Sequence, residues 1–456
     1  MKLTVIGGGG VRSMFLAKSI ASRAKSLDIT ELCFMDNDSE KLEIFGKMAK
    51  KVAELIEPSL NFTLTTDAVE AVKEADYVIT TIRVGGDSMR VRDERIALGL
   101  GILGQETTGA AGFSFAMRSI PALIEYCELI KKYSKPDVKV FNFTNPAGLV
   151  SQALSDKGYA FTFGICDAPS SMLNSFAELL GVPSESVYGK IYGLNHLSFF
   201  SSVTASGENV TDKLICSDEA YDKTDMRYFD KDFLMKKGFI PNEYFYYFFN
   251  REKAVENILR AEKTRGELIE EVNALMLKEL SSVDIENDYE TAVGIFEKYY
   301  GIRENSYMSG ETGVSRHKKW SFDPFSEDDG GYAGVALRYI DIIKSGREGE
   351  MIFCTKNKGA LSYLDDDDVV EITCNVSKDS VEPVKFNSSE TDHFADELIR
   401  RMKYYERTAA RAILNKDISL ACDALASHPL VESYSLAKKL MDEYIRLNKD
   451  YSDGWK

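Results

Sequence analysis

Apolar residues in the first 170 positions fall in short runs separated by amphipathic stretches. Leu3-Thr4-Val5-Ile6 is one such run, and it ends directly on Gly7-Gly8-Gly9-Gly10. Met14, Phe15, Leu16, Ile20 and Ala21 follow at helical spacing. A second strand is predicted over 29–35, closing on Asp36-Asn37-Asp38, with Ser39 as the N-cap of a helix over 41–55. Further strands fit 62–65, 77–82, 138–143 and 161–165. Strands that alternate with helices predict an α/β fold with a parallel, doubly wound sheet. Beyond residue 170 the pattern changes to α+β. Strands fit 198–206 and 369–375, and helices fit 252–280, 284–299, 331–346, 392–415 and 431–446. The expected division is therefore a first domain over 1–170 and a second over 171–456.

Composition narrows the functional classes. The 456 residues carry a formal charge of −16, with 44% hydrophobic and 28% charged residues, which is globular composition. So acidic a chain repels phosphate backbones and anionic lipid, so neither nucleic-acid nor membrane binding is expected. An anionic substrate has to be held by local arginines. Seven scattered cysteines, an odd number, argue against a disulfide framework. The N-terminal apolar run is too short for a signal peptide, and no run suits a membrane span. The expected location is the cytoplasm.

The glycine run is the first candidate site. Gly7, Gly8 and Gly9, followed by Val11 and Arg12 at the start of a helix, let backbone N–H groups approach a pyrophosphate. The pattern from Gly7 is Gly-x-Gly-x-x-Arg, with Arg12 where a small residue is usual. Asp36, at the end of the second strand, suits the ribose hydroxyls and repels a 2′-phosphate, which favours NAD over NADP. Together these features predict a Rossmann-like dinucleotide domain. Ile82 and Arg83 leave the fourth strand at the sheet edge where ligands bind. Arg90 and Glu106 follow, and Arg92-Asp93-Glu94-Arg95 reads as an ion-paired helix face. The small residues at 109–112 read as a loop that bends close to something.

Asn145-Pro146, Cys166-Asp167 and Asn195-His196 are expected to end near that same sheet edge. His196 is one of only four histidines. A thiol and an imidazole make an incomplete protein site, suited to a catalytic metal completed by substrate oxygens or water. A buried structural histidine is the alternative, and spacing leaves both open. The run Asp365-Asp366-Asp367-Asp368 reads as a solvated turn before a strand, since the spacing of a calcium loop is absent.

These residues together resemble glycoside hydrolase family 4, the NAD- and divalent-metal-dependent glycosidases, which include 6-phospho-α- and 6-phospho-β-glucosidases. The resemblance runs through Ile6-Gly7-Gly8-Gly9, Arg83-Val84-Gly85, Gly104-Gln105-Glu106-Thr107, Asn145-Pro146, Cys166 and Asn195-His196. It continues more weakly through Asp329-Gly330-Gly331-Tyr332 and the strand over 369–374. It implies that Cys166 and His196 ligate Mn²⁺ or a similar ion, and that Arg90, Asn145 and Arg265 hold the sugar. Tyr244, in Pro241-Asn242-Glu243-Tyr244, matches the catalytic base, with Tyr246 and Tyr247 as rival neighbours. Glu106 matches an acid that raises the basicity of that tyrosine, and Asp167 a proposed proton donor of the α-type members.

The implied reaction is transient oxidation at C3, proton removal at C2, elimination at C1 and addition of water, outside the two-carboxylate scheme. The implied substrate is a small sugar, a phosphorylated disaccharide or glucoside. Family members are typically oligomeric, so a homodimer or homotetramer is expected. The anomer is left open, and an α-galacturonidase of the same family is an alternative. A 2-hydroxy-acid dehydrogenase shares the fold and the Asn-Pro turn, but needs a histidine in a glycine-rich turn and no metal. A non-enzymatic NAD sensor leaves the tyrosine, the metal pair and the arginines unexplained.

Overall fold

Five short parallel strands organise the first part of the chain in the computed structural model, which describes residues 1–316, 319–327 and 331–456. Asp329 and Gly330 of the weak C-terminal motif lie outside the described residues. The chain divides into two compact units, each gathered from separate stretches.

One unit comprises Met1–Glu106, Arg118–Thr144 and Glu252–Ile340. Its strands are β1 (Lys2–Ile6), β2 (Glu31–Met35), β3 (Asn61–Thr65), β4 (Tyr77–Thr80) and β5 (Lys139–Asn142), in the order β5-β4-β1-β2-β3. Leu3, Val5 and Ile6 are fully buried, which explains an apolar run without alternation. Ile6 pairs with both Met35 and Thr80, so the segments leaving β1, β2 and β4 emerge at one edge. Helices Arg265–Leu280 and Tyr289–Asn305 belong to this unit. Their Val272, Met276, Phe296 and Tyr299 pack with Met14, Phe45 and Met48 in one apolar cluster.

The other unit comprises Thr107–Met117, Asn145–Arg251 and Asp341–Lys456. Its strands are β6 (Thr162–Gly164), β7 (Val187–Leu194), β8 (Leu197–Ala205), β9 (Glu208–Asn209), β10 (Ile240–Pro241), β11 (Gly349–Lys356), β12 (Val369–Val376) and β13 (Val381–Pro383). Antiparallel pairing gives the order β13-β12-β11-β6 and a second set, β10-β8-β7, with β9 on β8.

Several expectations are corrected. The helix expected over 252–280 is two helices, Arg251–Arg260 and Arg265–Leu280. Thr264 starts the second with a reciprocal capping box. Its Oγ1 accepts from the Glu267 N–H at 3.2 Å, and its own N–H donates to Glu267 Oε2 at 2.8 Å. The small residues at 109–112 are not a loop. Ala110 opens a helix to Tyr133, and a Cβ on Gly112 would strike the Thr107 carbonyl, so the small residues serve close packing. Asp38, not Ser39, caps the second helical stretch, its carboxylate accepting from Lys41 N–H at 3.1 Å. The acidic run is only partly solvated, since Asp368 is buried and accepts from the Asp365 N–H at 2.9 Å. Among the described residues no helix is long and apolar enough to cross a membrane.

Candidate functional site

The glycine turn after β1 is held closed from beneath. Asp36, just past β2, accepts from the Gly9 N–H at 2.9 Å through Oδ2 and from the Asp38 N–H at 3.0 Å through Oδ1. Burial raises its pKa, although both N–H groups oppose that shift. A carboxylate has about four acceptor positions, so two remain for a ribose diol. A Cβ on Gly7, where φ is +100°, would lie 2.7 Å from the Thr81 carbonyl oxygen, and one on Gly8 2.5 Å from Phe34 Cβ. Only glycine fits either position, and this cradle suits the pyrophosphate of a dinucleotide. Val11 packs on the apolar cluster, Arg12 lies 3.8 Å from Glu304, and the Ile82 N–H donates to Thr144 Oγ1 at 3.1 Å.

In the same unit, Arg83 and Arg90 meet on Glu106. Arg83 Nη2 lies 2.5 Å and Arg90 Nη1 3.1 Å from Glu106 Oε2, while Arg90 Nε donates to Glu94 at 2.9 Å. Burial opposes the charge on Glu106. Arg90, Arg83, Arg265 and Arg303 overcome it and hold the carboxyl far below the ordinary range. Glu106 is therefore an anion at neutral pH that gathers arginines. Arg90 is only 5% exposed, so its guanidinium is fixed in place. Asp93 pairs with Arg118 at 2.6 Å and Arg95 with Glu267 at 2.5 Å, as expected of an ion-paired helix face. Arg265 begins its helix and donates through Nη1 to Ser306 Oγ at 2.7 Å and to the Arg303 carbonyl at 3.3 Å.

The second unit holds the remaining candidates. His196 joins two antiparallel strands of this unit. It lies in the two-residue turn of the β7–β8 hairpin, with φ at +64°. Glycines at 189 and 193 interrupt the apolar pattern of β7, so the sequence does not mark it as a strand. The His196 Nδ1 lies 3.3 Å from Thr107 Oγ1. The Tyr244 ring stacks on the imidazole with centroids 3.8 Å apart and planes 5° apart. Tyr246 and Tyr247 are buried at 3% and 1% exposure, as core residues. Asn145, joined to Pro146 by a cis peptide, accepts from the Ala147 N–H at 3.3 Å. Asp167 occupies the N-cap position of helix Ala168–Leu180, directly after Cys166.

Glu371 on β12 is a site residue that sequence reasoning missed. It is fully enclosed, and its carboxylate accepts from Asn195 Nδ2 at 2.9 Å and Ser198 Oγ at 2.7 Å, either side of His196. The signal was present: a lone carboxylate in Val369-Val370-Glu371-Ile372 is out of place in a buried strand. Burial, then the charges of Glu371 and Asp167, push the Cys166 thiol well above its usual value. A thiolate there calls for a cation, and the surrounding carboxylates favour one. Among the described residues no group of three or more His, Cys, Asp or Glu is arranged to hold a metal. A site built on Cys166 and His196 would need substrate oxygens or water in its other positions. Behind His196 lies a cavity of about 30 Å³, bordered by Thr107, Asn195, Glu406 and His428.

Comparison with known proteins adds an independent line. The sequence model described as "Family 4 glycosyl hydrolase" matches residues 2–182, and that of the family's C-terminal domain matches 191–431. The 6-phospho-beta-glucosidase BglT of Thermotoga maritima is 30% identical over 454 residues, covering 99% of each chain. The phospho-alpha-glucosidase PagL of Clostridium acetobutylicum is 27% identical over 468 residues, covering 98% of each. A solved structure of the Thermotoga maritima 6-phospho-beta glucosidase, with manganese, NAD⁺ and glucose-6-phosphate, superposes with a TM-score of 0.81 over 99% of each chain.

Proposed function

We propose that this chain, which belongs to family 4 of the glycosyl hydrolases, hydrolyses 6-phosphorylated glucosides with NAD and a divalent metal as cofactors. Family membership removes the 2-hydroxy-acid dehydrogenase and the NAD sensor as readings. The observation that carries the reading is the stack of Tyr244 on His196, which sets a phenol against the imidazole assigned here to the metal. Bound NAD supplies a hydride acceptor, and a bound divalent ion such as Mn²⁺ supplies a Lewis acid.

The chain's own residues do the rest. Gly7, Gly8, Gly9, Val11, Arg12, Ile82 and Arg83 seat the dinucleotide, with Asp36 on the ribose. Arg90, Asn145 and Arg265 orient the sugar, with the two arginines on its anionic group. Cys166 and His196 hold the metal. Tyr244 removes the C2 proton, Glu106 sustains its basicity, and Asp167 delivers a proton to the leaving group. In this reading residues 1–170 carry the dinucleotide and residues 171–456 complete the substrate and metal site. The enzyme works in the cytoplasm as a homodimer or homotetramer.

The test is a panel of p-nitrophenyl 6-phospho-α- and 6-phospho-β-glucosides, unphosphorylated glucosides and galacturonides, each with and without NAD⁺ and Mn²⁺. Turnover of a phosphorylated glucoside that needs both additions supports the reading. Preference for a galacturonide replaces the substrate, and turnover in EDTA without NAD⁺ removes the mechanism.

A further inference from the structure

Arg303 stands in the last turn of helix Tyr289–Asn305, and nothing in its sequence neighbourhood marks it as functional. Its Nε is buried and, among the described residues, has no hydrogen-bond acceptor. Charges of both signs act on it, two of them cationic. Burial first, then Arg12, lower its pKa to about 10; Arg265 adds to this, and Tyr300 and Asp87 oppose it. Four acidic groups of this unit are engaged elsewhere. Glu106 takes Arg83 and Arg90, and Glu94 takes Arg90 and the Gly266 N–H at 3.0 Å. Asp87 accepts from Asn273 at 2.7 Å, and Glu304 faces Arg12.

A guanidinium with a buried, unmet donor and cationic neighbours is costly, because desolvation and repulsion act together. A bound anion relieves both. Arg265 is tethered to the Arg303 carbonyl and to Ser306, so the two arginines share one corner of the unit. Their common neighbour Glu106 is shared with Arg90 and Arg83.

We propose that Arg303 is a further anion-binding residue of the substrate site, donating its Nε–H to a phosphate oxygen of the sugar beside Arg265. This rests on the reading of the chain as a hydrolase of 6-phosphorylated glucosides. The same chemistry could come from the nucleotide diphosphate, since Arg12 belongs to the dinucleotide turn. The tether to Arg265 favours the sugar.

The experiment measures binding of glucose 6-phosphate, glucose and NAD⁺ to the full chain by calorimetry, alongside KM and kcat for a 6-phosphoglucoside. The variants are Arg303→Gln and Arg303→Lys. Both leave the backbone carbonyl that anchors Arg265 in place. Losing one charge-assisted hydrogen bond should weaken glucose 6-phosphate about ten- to hundredfold in Arg303→Gln, with KM rising in step. Binding of NAD⁺ should be unchanged, which also reports that the variant is folded. Arg303→Lys should recover part of the loss, since it restores charge without the Nε edge. Unchanged glucose 6-phosphate binding in either folded variant overturns the proposal. So does a loss confined to NAD⁺, which would assign Arg303 to the diphosphate. If the wild type itself binds glucose 6-phosphate no better than glucose, the functional reading falls and the proposal falls with it.

Discussion

The ring of Tyr244 lies parallel to the imidazole of His196, with centroids 3.8 Å apart and planes 5° apart. The stack is made by ring faces, not by the phenolic oxygen. Tyr244→Phe keeps the stack and deletes only that oxygen. Affinity for NAD⁺ and substrate should therefore stay near wild type while kcat falls by about 10² or more. Tyr246→Phe, at a core position, should leave kcat within about threefold. Substrate deuterated at C2 should lose its label to water in the wild type. Label retained in the released sugar would rule out Tyr244 as a C2 base.

Loss of the thiol should show first in metal binding. Cys166→Ser replaces a soft donor with a weak one. Affinity for Mn²⁺, read by electron paramagnetic resonance of the free ion, should fall about tenfold or more. Calorimetric NAD⁺ binding should persist, because the glycine turn is untouched. Full wild-type turnover in EDTA would contradict the assignment.

Asp36 supports its turn, and the proposed function also puts it on the ribose. Asp36→Ala removes the acceptor of the Gly9 N–H and the negative charge facing a ribose. Affinity for NAD⁺ should drop about tenfold or more, the scale of one hydrogen bond to a charged group. The preference for NAD⁺ over NADP⁺ should narrow, since no carboxylate then repels the 2′-phosphate. An unchanged ratio of the two dissociation constants would place the nucleotide elsewhere.

Acid stability should depend on His428. The ring is fully buried, its Nδ1 accepts from the Leu430 N–H at 3.0 Å, and burial followed by Arg401 lowers its pKa to about 3. An unfolded histidine titrates near 6.5, so between about 6.5 and 3 the unfolded chain binds a proton that the folded chain does not. Stability is therefore lost as pH falls through that window. His428→Gln keeps an acceptor and removes the titration. Urea unfolding from pH 7 to pH 4 should then show a slope smaller by up to one proton. An identical slope would mean that His428 is protonated in the folded chain.

The parts legible from sequence are those set by local chemistry. The run Leu3–Ile6 followed by glycines is a strand and a phosphate turn because Cβ atoms cannot fit there, and Asp36 ends the next strand. Alternation and spacing carry that information within about 30 residues. The resemblance brought in Cys166, His196 and Tyr244 as residue types in order. It did not separate Tyr244 from Tyr246 and Tyr247. Burial favours Tyr244, since the other two rings are core and this one faces an imidazole.

Other features were decided by tertiary structure alone, because their partners are distant in the chain. Glu371 meets Asn195 and Ser198 across more than 170 positions. Glu106 is an anion only because Arg83, Arg90, Arg265 and Arg303 converge on it from three separate stretches. A carboxylate's charge, a thiol's reluctance to ionise and an arginine's unmet donor depend on how much water is excluded and which charges are near. Sequence order determined which groups this protein possesses. Folding determined which of them are buried together, and burial sets their chemistry.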